Sequence, residues 1–402
     1  MTDVENLEKI IDDIFGVKKT IKNKLNTNKC IEPLNKTSLN LFAFNFTNRL
    51  NRLSEKFKGD WNAVGEICEK IKNIGEARNS QWAGPYSELV ALDFYSQFSE
   101  FFNISYINIL PISNHLNSIA AKNGQKEIID IDLCLHFKHD LIYTDVKSFN
   151  CVHLLIFDQI FESVENFALE RLGKNVLIGV DNLSSIDYID VKNHLGGEIR
   201  RIERKLKNAV AENRRFEHYV SDSGIVFNFK IEYSQFLSTV KEYSPFAQAE
   251  AYKYKFLDYG NKLVDNEYSV ITMVRNPWFN TETVDFGNFN NMFYRSLSRR
   301  TFMELLKNNE SVSDYSRSYR SAEPDCESIT VSEISRNLAG IIFIDDNSPS
   351  AREQKDLYSA YFYLNPNYAN KQPLTIRKVE KYFHNKFESQ IKDFDDFKYD
   401  NY

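Results

Sequence analysis

The chain has 402 residues and 42% hydrophobic content, enough to bury a substantial core and to divide into two or three compact units. Fifty Lys and Arg against 56 Asp and Glu give a formal charge of -6, which excludes an overall positive field drawing the molecule onto a polyanion. The five cysteines (Cys30, Cys68, Cys134, Cys151, Cys326) are odd in number and contain no C-x-x-C pair, which argues against a zinc knuckle or a disulfide framework and for a reducing, cytoplasmic setting. No stretch of about 18 apolar residues is present to span a bilayer, so no membrane partner is expected.

Residues 1–79 read as a helical N-terminal region. Leu7, Ile10, Ile11 and Ile14, and later Leu41, Phe44, Phe46, Leu50 and Leu53, recur at three- and four-residue spacing. Gly84-Pro85 then breaks the pattern, and Pro85 at a first helical position is compatible with a new helix carrying Glu88, Leu89, Leu92 and Phe98.

Beyond that helix the period changes from about four to two, the signature of strands. Ile104 to Leu110 is the first. Ile129 to Phe137 (IDIDLCLHF) alternates strictly, with Asp130, Asp132, Cys134 and His136 on one face and Ile131, Leu133, Leu135 and Phe137 on the core face. After the turn Lys138-His139-Asp140, Leu141 to Phe149 reads as the hairpin partner, with Tyr143, Asp145 and Lys147 sharing a face. A helix from Phe157 to Leu172 and an apolar strand Val176 to Val180 follow, so residues 80–182 run helix, three strands, helix, strand. Residues 183–402 form an α/β region, with a charged helix Glu198 to Asn213, a helix Ser298 to Leu306, and strands near 225–233, 269–274, 340–344 and 361–364.

Hydrolysing a phosphodiester requires neutralising charge on the phosphate oxygens and generating hydroxide at neutral pH, and a carboxylate-held divalent cation does both. Asp132 and Asp145 on paired strands are placed to converge on a hard cation, with Lys147 on the same face beside the water or the phosphate.

Asp132, then twelve residues, then Asp145-Val146-Lys147, preceded by a helix bearing Glu88, resembles the PD-(D/E)xK nuclease superfamily. The resemblance implies the restriction-endonuclease-like αβββαβ core over residues 80–182, in a mixed α/β chain. It also implies Mg²⁺, or Mn²⁺ in its place, held by Asp132, Asp145, the Val146 carbonyl and Glu88, with Lys147 acting on the water. Ile131 stands where the family's proline would be, which keeps Asp130 as a rival first ligand. The implied activity is endonuclease cleavage of DNA, with RNA not excluded, and the large flanking regions are by analogy those of restriction or antiphage-defence proteins. An inactive nuclease-fold binding module and a ligand- or partner-sensing protein are the alternatives, and homo-oligomerisation stays open. A second tripeptide, Asp190-Val191-Lys192, lacks a preceding acid-bearing strand and reads as a decoy.

An acidic chain needs a local cationic patch to meet a polyanion. Arg200, Arg201, Arg204 and Lys207 along one helix are the candidates, set against the reading that they are an ordinary solvated face.

Overall fold

The computed structural model describes residues 9, 12–13, 40–76, 82–110, 116–120, 129, 131–137, 140–149, 152–181, 188–221, 226–232, 245–276, 289–312, 329–368 and 391–395. The expected helix on residues 7–14 and the rival ligand Asp130 thus lie outside the described residues, the former all but for isolated positions. The helical N-terminal region appears as α1 (Asn40–Lys56) and α2 (Trp61–Glu76), followed by α3 (Ala83–Gln97). The buried stripe of α1 is Phe42, Phe46, Leu50 and Leu53, whereas Phe44 stands 55% exposed. Helix α3 starts two residues before Pro85, which costs no hydrogen bond because first-turn amides have no partner inside the helix.

The strands are β1 (Tyr106–Ile109), β2 (Leu133–His136), β3 (Leu141–Ser148), β4 (Asn175–Asp181), β5 (Phe216–Val220), β6 (Val226–Glu232), β7 (Tyr268–Arg275), β8 (Gly340–Asp346), β9 (Tyr358–Leu364) and β10 (Ile391–Asp395). Between them lie α4 (Val152–Leu172), α5 (Tyr188–Ala211), α6 (Pro245–Tyr252), α7 (Phe289–Arg299) and α8 (Val331–Asn337). The chain is mixed α/β. Seven strands form one sheet in the order β1-β2-β3-β7-β8-β9-β10, and three form another in the order β4-β6-β5.

In the large sheet β3, β7 and β8 run parallel; β1 and β2 pair antiparallel on one flank, and on the other β9 pairs antiparallel with β8 while β10 runs parallel to β9. Every residue of β7 and β8 is buried, as expected for central parallel strands covered on both faces. Helices α1, α2 and α3 bury Phe46, Ile67, Leu89 and Phe94 against Val146, Val274, Ile342 and Phe362 on one face. Phe256 from the 3-10 run Lys253–Lys262, with Phe293 and Leu297 of α7 and Ile334 of α8, covers Ile271, Met273 and Phe343 on the other. A Cβ at Gly340 would meet the Tyr363 carbonyl at 2.9 Å, so only glycine lets β8 begin this close to β9.

The order helix, three strands, helix, strand is present, but its last strand does not close the expected core. The strand beside β3 is β7, in parallel register from Ile142↔Tyr268 to Ser148↔Val274. Strand β4 instead pairs with β6 in the second sheet, where Val176, Ile178, Phe227 and Phe229 pack with Ile202, Leu206 and Ala209 of α5 into a separate apolar cluster. Both β4 and β7 are short apolar runs, and tertiary packing rather than local pattern decides which one pairs with β3.

The expected helix over 298–306 is instead α7 from Phe289, continuing as π and 3-10 turns to Lys307. The decoy tripeptide 190–192 lies in the first turns of α5.

Candidate active site

Strand β2 is shorter than its sequence alternation suggests. The antiparallel ladder runs from His136↔Leu141 to Leu133↔Thr144. One step further Asp132 would face Asp145, but the chain bends there, and the Asp132 carboxylate accepts the Val146 backbone N–H at 2.6 Å. A side chain thus replaces the ladder bond, and Ile131 turns from the face of Leu133 to pack with Ile129, Cys134, Tyr143 and Val264. Among the described residues no strand pairs with the second half of β3 on that side, at the position of Asp145 and Lys147.

Asp145 is 2% exposed and meets the Lys147 ammonium at 2.6 Å, while the lysine side chain keeps 28% exposure. Lys147 also stands over the Tyr259 ring, 5.5 Å from its centroid. From the opposite face, α3 brings in Glu88, whose carboxylate pairs with Lys70 of α2. Burial raises Asp145 to about 7; Lys147 pulls it down and Asp132 pushes it up again. Burial and then Asp132 raise Glu88, against the pull of Lys70 and Lys147. Burial works against charge on Lys147, but Asp145, Asp132 and Glu88 outweigh it and hold its ammonium above the ordinary lysine value. Residues from α2, α3, β3 and the bend before β2 therefore share one electrostatic field. Tyr259 and Lys262, from the 3-10 run, complete it: burial, and after it Asp145, keeps the Tyr259 hydroxyl protonated, and Lys262 favours the Asp145 carboxylate.

The sequence assigned Asp132, Asp145, Lys147 and Glu88 to one centre, and they do share this field. Val146 is buried, contributing its N–H to Asp132. Each carboxylate is engaged by a partner of its own, Asp132 by an amide, Asp145 by Lys147 and Glu88 by Lys70. Among the described residues no three Asp, Glu, His or Cys side chains are gathered as a metal cage. The donor chemistry nevertheless fits a hard divalent cation, because Asp132, Asp145 and Glu88 are oxygen donors within one electrostatic field; burial first, and Asp132 after it, raises Asp145 and Glu88.

Lys70, Tyr259 and Lys262 were not foreseen. Lys70 lies on a helix whose partner is fixed only by packing, and residues 253–262 form a 3-10 run without helical periodicity. His136 stays apart from the centre, its ring edge-on to Tyr106 at 5.6 Å and its pKa lowered by burial.

Arg200, Arg201, Arg204 and Lys207 are exposed on α5, in the unit built on the small sheet. Arg200 donates to its own helix at the Gly196 carbonyl, 2.9 Å away, and Arg201 pairs with the buried Glu198 at 3.3 Å, so two of the four have structural partners. No helix among the described residues is long and apolar enough to cross a membrane. In comparisons with family models, curated proteins and solved structures, nothing matches the chain.

Proposed function

We propose that this chain is a metal-dependent nuclease of the PD-(D/E)xK type that hydrolyses DNA phosphodiester bonds. The observation carrying this reading is the junction where β2 leaves β3: Asp132 reaches across to Val146, next to a buried Asp145 raised to about 7 and tied to Lys147. Burying an acid that deeply is costly even beside its lysine, and a buried carboxylate whose pKa is displaced that far, set among other charged groups, is the pattern of a functional site.

Asp132, Asp145, Glu88 and the Val146 carbonyl would hold Mg²⁺ or Mn²⁺. Such an ion, when bound, lowers the pKa of a coordinated water and offsets charge on the phosphate oxygens. The chain's own residues do the rest. Lys147, charged and partly open to solvent, directs its ammonium at the phosphate or the attacking water, and the Tyr259 ring limits its swing. Lys70 holds Glu88 until a competing cation enters.

Nicking of plasmid DNA with Mg²⁺ and with EDTA, by wild type and by Lys147→Ala, tests the proposal: wild-type cleavage only with Mg²⁺, and none by the variant, is the expected result. The separate pairing of the three carboxylates favours one second reading, a nuclease-fold module that binds without turnover. Binding in Mg²⁺ with no cleavage would establish that reading instead.

A further inference from the structure

The small sheet β4-β6-β5 buries one face against α4 and α5 and leaves the other open. Two rows cross that open face: Leu177, Lys230 and Phe216, then Gly179, Asn228 and His218. They line a groove of about 570 Å³. Phe216 is 67% exposed, and with Leu177 in its own row and the flat Gly179 row beside it the ring offers a stacking platform on the sheet. A Cβ at Gly179 would meet only Asn228 at 3.9 Å, so packing does not demand glycine there; its effect is to leave the second row flat.

The surroundings are basic. From Glu198 to Arg215 the chain carries seven cations against three acids. Helix α5 packs beside β5, the edge strand, where the Lys205 ammonium reaches the His218 carbonyl at 3.5 Å. Arg214 and Arg215 are exposed in the turn entering β5; Arg214 also pairs with Glu212 at 2.8 Å and with Glu217. Lys230 pairs with Glu232 on the same strand. The cationic flank of α5 therefore adjoins the edge of the strand that displays Phe216 and His218.

We propose that this open face binds single-stranded nucleic acid, with bases stacked on Phe216 and His218 and the phosphates following Lys205, Arg214 and Arg215 along the β5 edge. The inference rests on the nuclease reading only for its biological sense, since it names the strand state of the substrate. An exposed ring on a flat sheet recognises the π-face of a base, and a duplex keeps those faces hidden in its stack. Charge along the neighbouring edge supplies the sequence-independent part of the affinity.

Fluorescence anisotropy tests it in EDTA, where cleavage cannot interfere, with labelled oligothymidine, oligouridine and a hairpin duplex. The expected result is that one or both single strands bind at least about tenfold more tightly than the duplex, and their ratio tells DNA from RNA. Phe216→Ala weakens binding about tenfold with an unchanged salt slope. Gly179→Leu, which adds bulk without removing a contact, weakens it as well. Lys205→Gln with Arg215→Gln flattens the log-log salt dependence by about 0.7 per lost phosphate contact. Equal affinity for duplex and single strand, or wild-type affinity in both Phe216→Ala and Gly179→Leu, overturns the proposal. Wild type that binds the single strands in EDTA yet cleaves no DNA with Mg²⁺ counts against the nuclease reading alone, and cleavage without this binding counts against the inference alone.

Discussion

Asp145 carries two opposed demands, a buried position and a negative charge. Its folded value near 7 lies above the ordinary 3.8, so the folded state holds the proton more tightly than the unfolded one. The contribution of this group to stability is full below pH about 4, is lost as pH rises to about 7, and stays lost above. Asp145→Asn removes the penalty, and we expect the metal-free variant to be more stable than wild type at pH 8, by a few kcal/mol at most, with little difference at pH 4. Thermal unfolding at the two pH values checks this, and an equal gain at both would remove Asp145 as the cause. Mn²⁺ should stabilise wild type at pH 8 and leave the variant unmoved, as calorimetric titration would show. For Lys147→Ala the expectation is a loss of cleavage on the order of a hundredfold or more with folding retained, because Asp145 can take up a proton when its partner goes. Circular dichroism beside the nicking rate separates the two effects.

At the scale of elements, the attachment of α1 to the sheet hangs on one buried cation. Arg49 is fully buried and donates to Asp346 at 2.8 Å, to the Tyr86 hydroxyl at 2.9 Å and to the Tyr358 hydroxyl at 3.1 Å. Arg49→Met leaves the Asp346 carboxylate without its cation, for an expected cost of about 3–5 kcal/mol by denaturant unfolding; adding Asp346→Leu should return a good part of it. Nothing in the α1 sequence announces this, since Arg49 sits among Asn48, Asn51 and Arg52 like any residue of a solvated helix face. Legibility followed the same division elsewhere. Alternation revealed β2 and β3, and their hairpin put Asp132 beside Asp145, because both depend on neighbours in sequence. The end of β2 at Leu133 was hidden, since a carboxylate bonded to the Val146 amide competes there with the ladder. The Lys70–Glu88 pair was hidden too, being set by how α2 meets α3.

The whole molecule contains a unit, from α4 to β6, with a core of its own. Its apolar cluster is distinct from those on the two faces of the large sheet. Leu206→Ala, at a fully buried position in that cluster, should cost about 2–5 kcal/mol locally. Hydrogen exchange should then quicken in β4, β5 and β6 while the β7 and β8 amides keep their protection. Acceleration everywhere would mean that the two units unfold as one.

The pairing of β3 with β7 also sets an order of events during synthesis. Strand β2 is ready for β3 as soon as both have left the ribosome, but the other edge of β3 waits for Tyr268–Arg275, well over a hundred residues later. Throughout that interval the strand carrying Asp145 and Lys147 presents a bare row of amides and carbonyls, the template on which chains aggregate. The unit from α4 to β6 is complete before β7 appears, so its early folding shortens the distance that the two ends of the interruption must search. A chain stopped after residue 182 contains every acid and the lysine of the proposed centre yet has no neighbour for that edge. It should be found in the insoluble fraction, and a soluble, metal-dependent nuclease from residues 1–182 would show that β3 can do without β7.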